Sequence, residues 1–438
     1  MEPIISVLHC VDHCMERKTM RRLRQVIMAM LAMSGRVTML GLSRWADRGG
    51  SYRTIQRFFD EALNWPLLNW LVIHTHLLDP DDVILLAGDE TTVSKAGQKT
   101  YGLGRFFSPL AERLVPGLGF FAVSLVSVKN HTSYPVIMKQ LVGQDTNKLS
   151  PSTAPLTGKR GPGRPPGRRN SNRRDVELSP YLQAVQQMLR HVLSLSECTI
   201  RVGYCLLDGA FGNNNALQMV RQCQLHLISK LRYDSVLYLP FTGPQLPRGQ
   251  KRKYGARIDC RNLPDIALRQ QTTQDGVRCA VYQLIVRHKS FADPLNAVII
   301  QRTHKGRQTH VILFSSDLAL PYQQIIDYYQ LRFQLEFNFR DAKQFWGLED
   351  FMTTKSQSVA NSANLAMFLP NIVQAILQTF PQHYRGYSVI DLKAHYRGLK
   401  YVRDVLNLLP TSPEPISMEA FFANVLALGS VNVTRTTT

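Results

Sequence analysis

The sequence has 438 residues, 44% of them hydrophobic, and its 52 Lys and Arg residues outnumber 32 Asp and Glu residues, giving a formal net charge of +20. This composition is typical of a globular protein of two to four domains and argues against a coiled coil, a solenoid or a mostly disordered chain. No apolar stretch reaches the roughly 18 to 20 residues that cross a bilayer. We therefore expect a cytoplasmic protein without a membrane partner, whose excess cations bind a polyanion.

Residues 1–78 show helical patterns and are predicted to form a DNA-binding domain. The segments 42–46 and 51–59 flank a turn with two glycines, which predicts a helix-turn-helix. Arg53 and Arg57 lie one turn apart on the second helix and are candidate DNA contacts. The alternative is a small helical bundle with solvated arginines.

Residues 79–231 mix strand and helix patterns, with three predicted strands before any helix. Two short apolar strands, at residues 83–87 and 200–207, are predicted to end on Asp89 and Asp208 respectively. The carboxyl ends of strands are where α/β proteins build their sites, so both aspartates are candidate site residues. The alternative for Asp208 is a turn or helix cap.

Residues 157–174 interrupt this region with a basic segment rich in Gly and Pro. Such a segment cannot bury a core, so a mobile loop that projects from the fold is predicted. Gly163, Arg164 and Pro165 resemble the centre of an AT-hook, whose arginine enters a narrow A·T minor groove. A charged linker that binds phosphates without sequence preference is the alternative.

The second half of the chain changes from strands to helices. Residues 232–318 carry only strand signals and are predicted to form an all-β insertion. Residues 319–350 return the chain to helical structure, and residues 351–438 are predicted to be a helical C-terminal region. The expected fold class is therefore α/β, with helical regions at both ends and a β insertion.

A polar stripe lies on the helix predicted at residues 321–345. At 100° per residue, one face of this helix collects Tyr329, Arg332, Glu336, Arg340 and Lys343. Phe333 and Phe337 are expected to provide apolar packing beside the stripe. The alternative is a solvated face with ion pairs four residues apart, such as Glu336 with Arg332 or with Arg340.

The spacing Tyr329-x2-Arg332-x3-Glu336-x6-Lys343 is similar to the Y-x2-R-x3-E-x6-K signature of a branch of DDE transposases, which bacterial insertion sequences encode. Four residues at fixed spacing make this a specific signal. The resemblance covers roughly residues 80–350.

Further features of the chain support the same resemblance. They are the context of Asp89, with Lys95 shortly after it, the context of Asp208, and a β insertion before the glutamate helix. The resemblance implies a ribonuclease H-like catalytic domain in which Asp89, Asp208 and Glu336 are the catalytic and metal-binding triad. Two Mg²⁺ or Mn²⁺ ions are the implied cofactors, and oxygen ligands suit these hard cations. No Walker-type phosphate loop is present, so no nucleotide cofactor is expected.

The resemblance also implies that Tyr329, Arg332 and Lys343 hold the DNA backbone beside the scissile phosphate. Arg340 shares their face and joins them on geometry alone. The implied partners are double-stranded DNA, at the transposon ends and at the target, and a second copy of the chain, because joining two ends normally needs at least two protomers. The implied location is the bacterial nucleoid.

The expected function is cut-and-paste transposition. In this reaction the protein binds terminal inverted repeats, cleaves them with divalent ions and joins the freed ends to a target by strand transfer. Two alternatives are kept. One is a structure-specific nuclease of the same fold, and the other is a DNA-binding protein whose triad has no catalytic role.

Overall fold

The computed structural model describes residues 2–47, 49–108, 112–142, 173–197 and 199–408, together with residues 419, 422 and 426. Gly163, Arg164 and Pro165, the candidate AT-hook, lie outside the described residues. None of the helices in the described ranges is long and apolar enough to cross a membrane.

The N-terminal region is helical, and three of its helices begin where the sequence supplies a side-chain cap. Thr38, Ser51 and Asn64 each accept a hydrogen bond from a backbone N–H in the first turn of the helix that follows. A short 3-10 helix at His9–Cys14 separates the first two α-helices. The helices are α1 (Glu2–Leu8), α2 (Arg17–Ala32), α3 (Met39–Trp45), α4 (Tyr52–Phe59) and α5 (Trp65–His76).

The central sheet has the strand order β4-β3-β1-β5-β6, in which β3 is antiparallel to its neighbours and β5 and β6 run parallel to β1. Helix α6 (Pro180–Ser196) leads into β5, and α7 (Asn214–Arg221) connects β5 to β6. This is the topology of a ribonuclease H-like domain, as expected. Its strands are β1 (Ile84–Ser94), β3 (Arg113–Ser127), β4 (Thr132–Leu141), β5 (Tyr204–Leu207) and β6 (His226–Leu231), with the short β2 (Gly104–Ser108) paired to β3.

The β insertion extends the central sheet. Its last strand pairs antiparallel with β6, so that one sheet of 12 strands runs through both parts of the described chain. Only one short 3-10 turn, at Asp265–Ala267, interrupts the strand structure of this segment. The strands are β7 (Leu237–Pro240), β8 (Tyr254–Arg257), β9 (Leu268–Gln274), β10 (Val277–His288), β11 (Leu295–His304) and β12 (Arg307–Ser315).

The prediction of one continuous helix at residues 321–345 is wrong. The chain forms α8 (Tyr322–Leu331) and α9 (Gln334–Gln344), and the break falls at Arg332 and Phe333. Around the break, backbone N–H groups bond to the carbonyl three residues earlier rather than four, which tightens the backbone as in a 3-10 turn. Up to residue 408 the described chain forms three more helices: α10 (Ser356–Thr379), α11 (Pro381–Tyr384) and α12 (Val389–Leu408).

Two hydrophobic clusters cover the two faces of the sheet. The larger one includes residues of the N-terminal helices, of α6 and of α10, so these helices pack on one face. The smaller cluster joins the opposite face to α8 through Leu85, Ala87, Leu206 and Ile325. Side chains alternate between the faces of a strand, so Asp89, two residues beyond Ala87, shares the face that α8 covers.

Candidate active site

Asp89 and Asp208 lie side by side because of the register between two parallel strands. Gly88 of β1 pairs with Leu207 of β5, and each aspartate is the next residue of the chain. Asp208 follows the last residue of β5, as predicted, and its carboxylate accepts a hydrogen bond from Ala210 N at 3.1 Å. Asp89 does not end β1, because continued pairing with β3 carries the strand to Ser94. The prediction that this strand ends on Asp89 is therefore wrong, although the adjacent position of the two aspartates holds.

The carboxylate of Asp89 is partly enclosed by charges. It accepts a hydrogen bond from Glu90 N at 2.8 Å and is paired with Arg332. Burial raises the pKa of Asp89 to about 6, and the negative charges of Asp208 and Glu336 add to the rise against the opposing effect of Arg332. Burial also raises the pKa of Asp208. In both cases the ionised carboxylate is destabilised by its surroundings, so an additional positive charge beside it would be stabilising.

Arg332 joins Asp89 to Glu336. Its Nη1 lies 2.6 Å from Oδ2 of Asp89, and its Nη2 lies 2.9 Å from Oε1 of Glu336. The Arg332 side chain is 15% exposed, whereas that of Glu336 is 41% exposed. The ion pair four residues apart is thus formed by Glu336 with Arg332, while Arg340 pairs with Asp341. The break between α8 and α9 falls at the arginine that makes these contacts.

The carboxylates of Asp89, Asp208 and Glu336 suit a hard divalent cation, but their oxygens are not gathered around one point. Among the residues that the structure describes, no three His, Cys, Asp or Glu side chains are grouped so that they could hold a metal ion. Carboxylate oxygens are the ligands that Mg²⁺ and Mn²⁺ prefer. The guanidinium of Arg332 already supplies a positive charge between two of the three carboxylates. The residue types therefore fit the implied ions, provided that Arg332 releases Glu336.

Tyr329, Arg340 and Lys343 occupy different surroundings. Tyr329, on the last turn of α8, packs against the smaller hydrophobic cluster, and burial raises the pKa of its hydroxyl. Arg340 is exposed and its guanidinium lies 4.7 Å from the centre of the Phe337 ring. The Lys343 ammonium donates to the carbonyl oxygen of Thr92 at 2.8 Å. Tyr329 thus borders the carboxylates with Arg332, and Lys343 ties α9 to the end of β1.

The expectation that Phe333 and Phe337 pack beside the stripe is wrong. Their side chains are exposed, and the two rings contact each other edge to face at a centroid distance of 5.1 Å. The break before α9 places Phe333 at the N-cap of the new helix, so the angles of a continuous helix do not apply to it. Two aromatic rings and the guanidinium of Arg340 therefore form an exposed row on the helix that carries Glu336.

Sequence reasoning missed two residues beside the site, Glu90 and Tyr181. Glu90 follows Asp89 on β1, and the hydroxyl of Tyr181, on α6, donates a hydrogen bond to its carboxylate. The negative charge of Glu90 raises the pKa of Asp208 further. Alternation along the strand could have placed Glu90 on the α6 face. The partner Tyr181 has no signal in the sequence.

The candidate DNA-binding residues of the N-terminal region lie on a helix pair. Helices α3 and α4 are in contact, and Ser51 Oγ accepts the hydrogen bond from Thr54 N that caps α4. Arg53 and Arg57 are exposed on α4. The pair is held to the C-terminal helices, because Asn361 on α10 donates to the carbonyl oxygens of Phe59 and Glu61.

Comparison with known proteins identifies one family. The profile described as "DDE superfamily endonuclease" matches residues 10–288, a stretch that includes Asp89 and Asp208 and ends before α8. No curated protein matches the chain. Among solved structures, a piggyBac transposase in a synaptic complex with hairpin DNA has a TM-score of 0.38 and 12% sequence identity, over 100% of this chain and 85% of that chain.

Proposed function

The chain belongs to the DDE superfamily endonucleases, and we propose that it is the transposase of a bacterial insertion sequence. In this proposal it binds the terminal inverted repeats of its element, cleaves them and joins the freed ends to target DNA. The observation that carries the proposal is the adjacent position of Asp89 and Asp208 on two parallel strands of a ribonuclease H-like sheet, together with the ion pairs that join Arg332 to Asp89 and to Glu336. The net charge of +20 suits a DNA partner.

The three carboxylates would hold the divalent ions. When bound, two such ions activate the attacking oxygen and stabilise the leaving oxygen of an in-line phosphoryl displacement. Backbone N–H groups orient Asp89 and Asp208, which gives these two ligands fixed positions. Glu336 is more exposed, and Arg332 is its ion-pair partner, so it is the carboxylate with the most freedom to move.

The cations around the carboxylates would hold the DNA backbone. Arg332 and Tyr329 border the carboxylates, and Arg340 is exposed on α9. Lys343 keeps part of its side chain in solvent while it bonds to Thr92. These residue types suit phosphate, because a guanidinium or an ammonium forms charge-assisted hydrogen bonds with its oxygens.

Two other parts of the chain would bind DNA away from the chemistry. Arg53 and Arg57 on α4 would contact the terminal repeats, and Arg164 in the basic sequence segment 157–174 would favour A·T-rich DNA. Synapsis of two ends would bring two protomers together on the DNA. The protein would act at the bacterial nucleoid.

Substitution of the carboxylates tests this function. We expect Asp89→Asn, Asp208→Asn and Glu336→Gln each to abolish cleavage of the DNA that flanks the gene, in the presence of Mg²⁺. Each variant should keep its affinity for that DNA in a gel shift, because the phosphate contacts are made by cations. Asp327→Asn, an exposed carboxylate on α8, is the matched control and should cleave normally. Normal cleavage by any triad variant would remove that residue from the site.

A structure-specific nuclease is the second candidate, because the family itself is described by endonuclease activity. It would cleave the flanking DNA but would not join the ends to another molecule. A strand-transfer assay with labelled ends and a target plasmid separates the two functions. A protein that binds the DNA and neither cleaves nor joins it would have a triad without a catalytic role.

A further inference from the structure

Lys95 is a buried lysine with a defined set of partners. Its Nζ donates to the carbonyl oxygens of Glu349 and Phe351, both at 2.9 Å, and lies 3.5 Å from the centre of the Phe351 ring. The residue is 8% exposed. A lysine is rarely buried unless its charge is compensated, and here two carbonyl oxygens and an aromatic face provide that compensation.

The position of Lys95 links the two elements that carry the catalytic carboxylates. It directly follows Ser94, the last residue of β1, and Asp89 lies on that same strand. Its partners lie in the turn after α9, the helix that carries Glu336. The link is rigid on the strand side, since β1 is paired with β3 up to Ser94 and Lys95 N donates to Pro116 O at 3.1 Å.

Neighbouring contacts hold the same two segments together. The bond from Lys343 to the Thr92 carbonyl lies on one side of Lys95, and Tyr101 N donates to Thr354 O at 3.2 Å on the other. Lys95 lies between these two contacts and is the most enclosed of the three. The end of β1 thus meets the turn and the residues around it at three contacts, of which Lys95 makes the most buried one.

The turn itself is anchored to the N-terminal helices. Asp350 accepts hydrogen bonds from Val37 N at 2.9 Å and from Arg36 Nε at 3.3 Å. Gly347, at φ +71°, approaches Val37 so closely that an added Cβ would lie 2.3 Å from the Cβ of Val37. Lys95 thus fastens β1 to a segment that already has a fixed place in the fold.

We infer that Lys95 is a positioning residue that sets the separation of Asp89 and Glu336. It does so by holding β1, which carries Asp89, against the turn that follows α9, which carries Glu336. This inference rests on the proposed function. Burial lowers the pKa of Lys95 to about 8, with Asp350 and Glu349 opposing the shift and Arg36 adding to it. The ammonium is therefore charged near pH 7 and donates to both carbonyls. A misplacement of about 1 Å between catalytic groups is enough to lower a rate on the order of 100-fold.

The test compares two substitutions of Lys95 with a matched control. Lys95→Met keeps the length and removes the donors, whereas Lys95→Arg keeps the positive charge. Lys393→Met is the control, because Lys393, on α12, is also a buried lysine; its ammonium contacts the Met30 carbonyl and the Trp346 ring at the start of the same turn, so the substitution removes a buried ammonium beside the turn without removing the bonds between the turn and Lys95. The measurements are the cleavage rate of the DNA flanking the gene as a function of Mn²⁺ concentration, the affinity for that DNA, and amide hydrogen exchange.

We expect Lys95→Met to lower the cleavage rate by tenfold or more at limiting Mn²⁺ and to raise the half-saturating Mn²⁺ concentration about tenfold. DNA affinity should stay within about twofold, exchange should rise in the segments around residues 95 and 350, and Lys95→Arg should recover part of the rate. Lys393→Met should keep the wild-type Mn²⁺ dependence. An unchanged Mn²⁺ dependence in Lys95→Met would overturn the inference, even if exchange increased. A wild-type protein that neither cleaved DNA nor bound Mn²⁺ would overturn the proposed function, and the inference with it.

Discussion

Removal of the Arg332 guanidinium should strengthen metal binding. In the structure this cation bonds to Asp89 and Glu336, two of the three carboxylates that are proposed to hold the divalent ions. A metal ion that takes both carboxylates must displace it. We therefore expect Arg332→Gln to bind Mn²⁺ more tightly than the wild type in the absence of DNA, although the variant also loses the proposed DNA contact and should cleave poorly.

The magnitude follows from the two contacts. A hydrogen bond to a charged group contributes roughly 1.5 to 3 kcal/mol, and the partly buried bond to Asp89 belongs in this range. The bond to Glu336 must be discounted because that carboxylate is 41% exposed, which brings it into the range of about 0.2 to 1 kcal/mol of surface pairs. Their sum, about 2 to 4 kcal/mol, corresponds to an increase in Mn²⁺ affinity of about 30-fold to 900-fold.

The assay is a titration of free Mn²⁺ followed by electron paramagnetic resonance at pH 8. Loss of Arg332 also removes the effect that lowers the pKa of Asp89, so this pKa should rise above about 6, and a basic buffer keeps the carboxylate ionised. Arg340→Gln is the matched control, because Arg340 pairs with Asp341 and should not affect the affinity. Equal or weaker Mn²⁺ binding by Arg332→Gln would show that the arginine does not compete with metal.

Three further predictions concern stability and DNA binding. Burial lowers the pKa of Lys393 from 10.5 to about 7, so between these pH values the unfolded chain binds a proton that the folded protein does not. The free energy of unfolding should therefore fall by about 5 kcal/mol as the pH is lowered from about 10 to 7. Lys393→Met should remove this pH dependence in urea unfolding at several pH values. Asn361→Leu should lower the free energy of unfolding by about 3 to 5 kcal/mol, because it leaves the Trp65 indole and two backbone carbonyls without partners, whereas exposed Asn262→Leu should change it little. Arg53→Gln and Arg57→Gln should each reduce the salt slope of DNA binding by about one unit, and an unchanged slope in both would leave them as solvated residues.

Much of the fold could be predicted from local patterns. The short apolar runs that become β1 and β5 are buried on both faces, as a parallel strand requires, and they are legible as continuous hydrophobic segments. Helices α4 and α5 of the N-terminal region begin at Ser and Asn caps that the sequence shows directly. The pairing of β12 with β6 is different, because it joins residues far apart in sequence and no local pattern specifies which strands become neighbours.

The break between α8 and α9 explains what the sequence could not reveal about the site. Tyr329, Arg332 and Glu336 are predicted from their separation in the sequence, and a tightened turn does not alter that separation. The surroundings of each side chain do change, because a turn with i to i−3 hydrogen bonds alters the angle between successive side chains. This is why Phe333 and Phe337 were expected to be packed and are exposed instead.

The position of Arg332 constrains the order of events at the site. Its terminal nitrogens are already bonded to Asp89 and Glu336, so these two carboxylates balance its positive charge and would repel an approaching phosphate. We therefore expect DNA binding at Arg332 to open these ion pairs. A divalent ion favours the same opening, since it competes for the same carboxylate oxygens. Metal and DNA should then bind with positive coupling, and by thermodynamic reciprocity each should raise the affinity for the other by the same factor. In Arg332→Gln the coupling that depends on this exchange should disappear, so equal coupling in the wild type and the variant would show that Arg332 does not change partners.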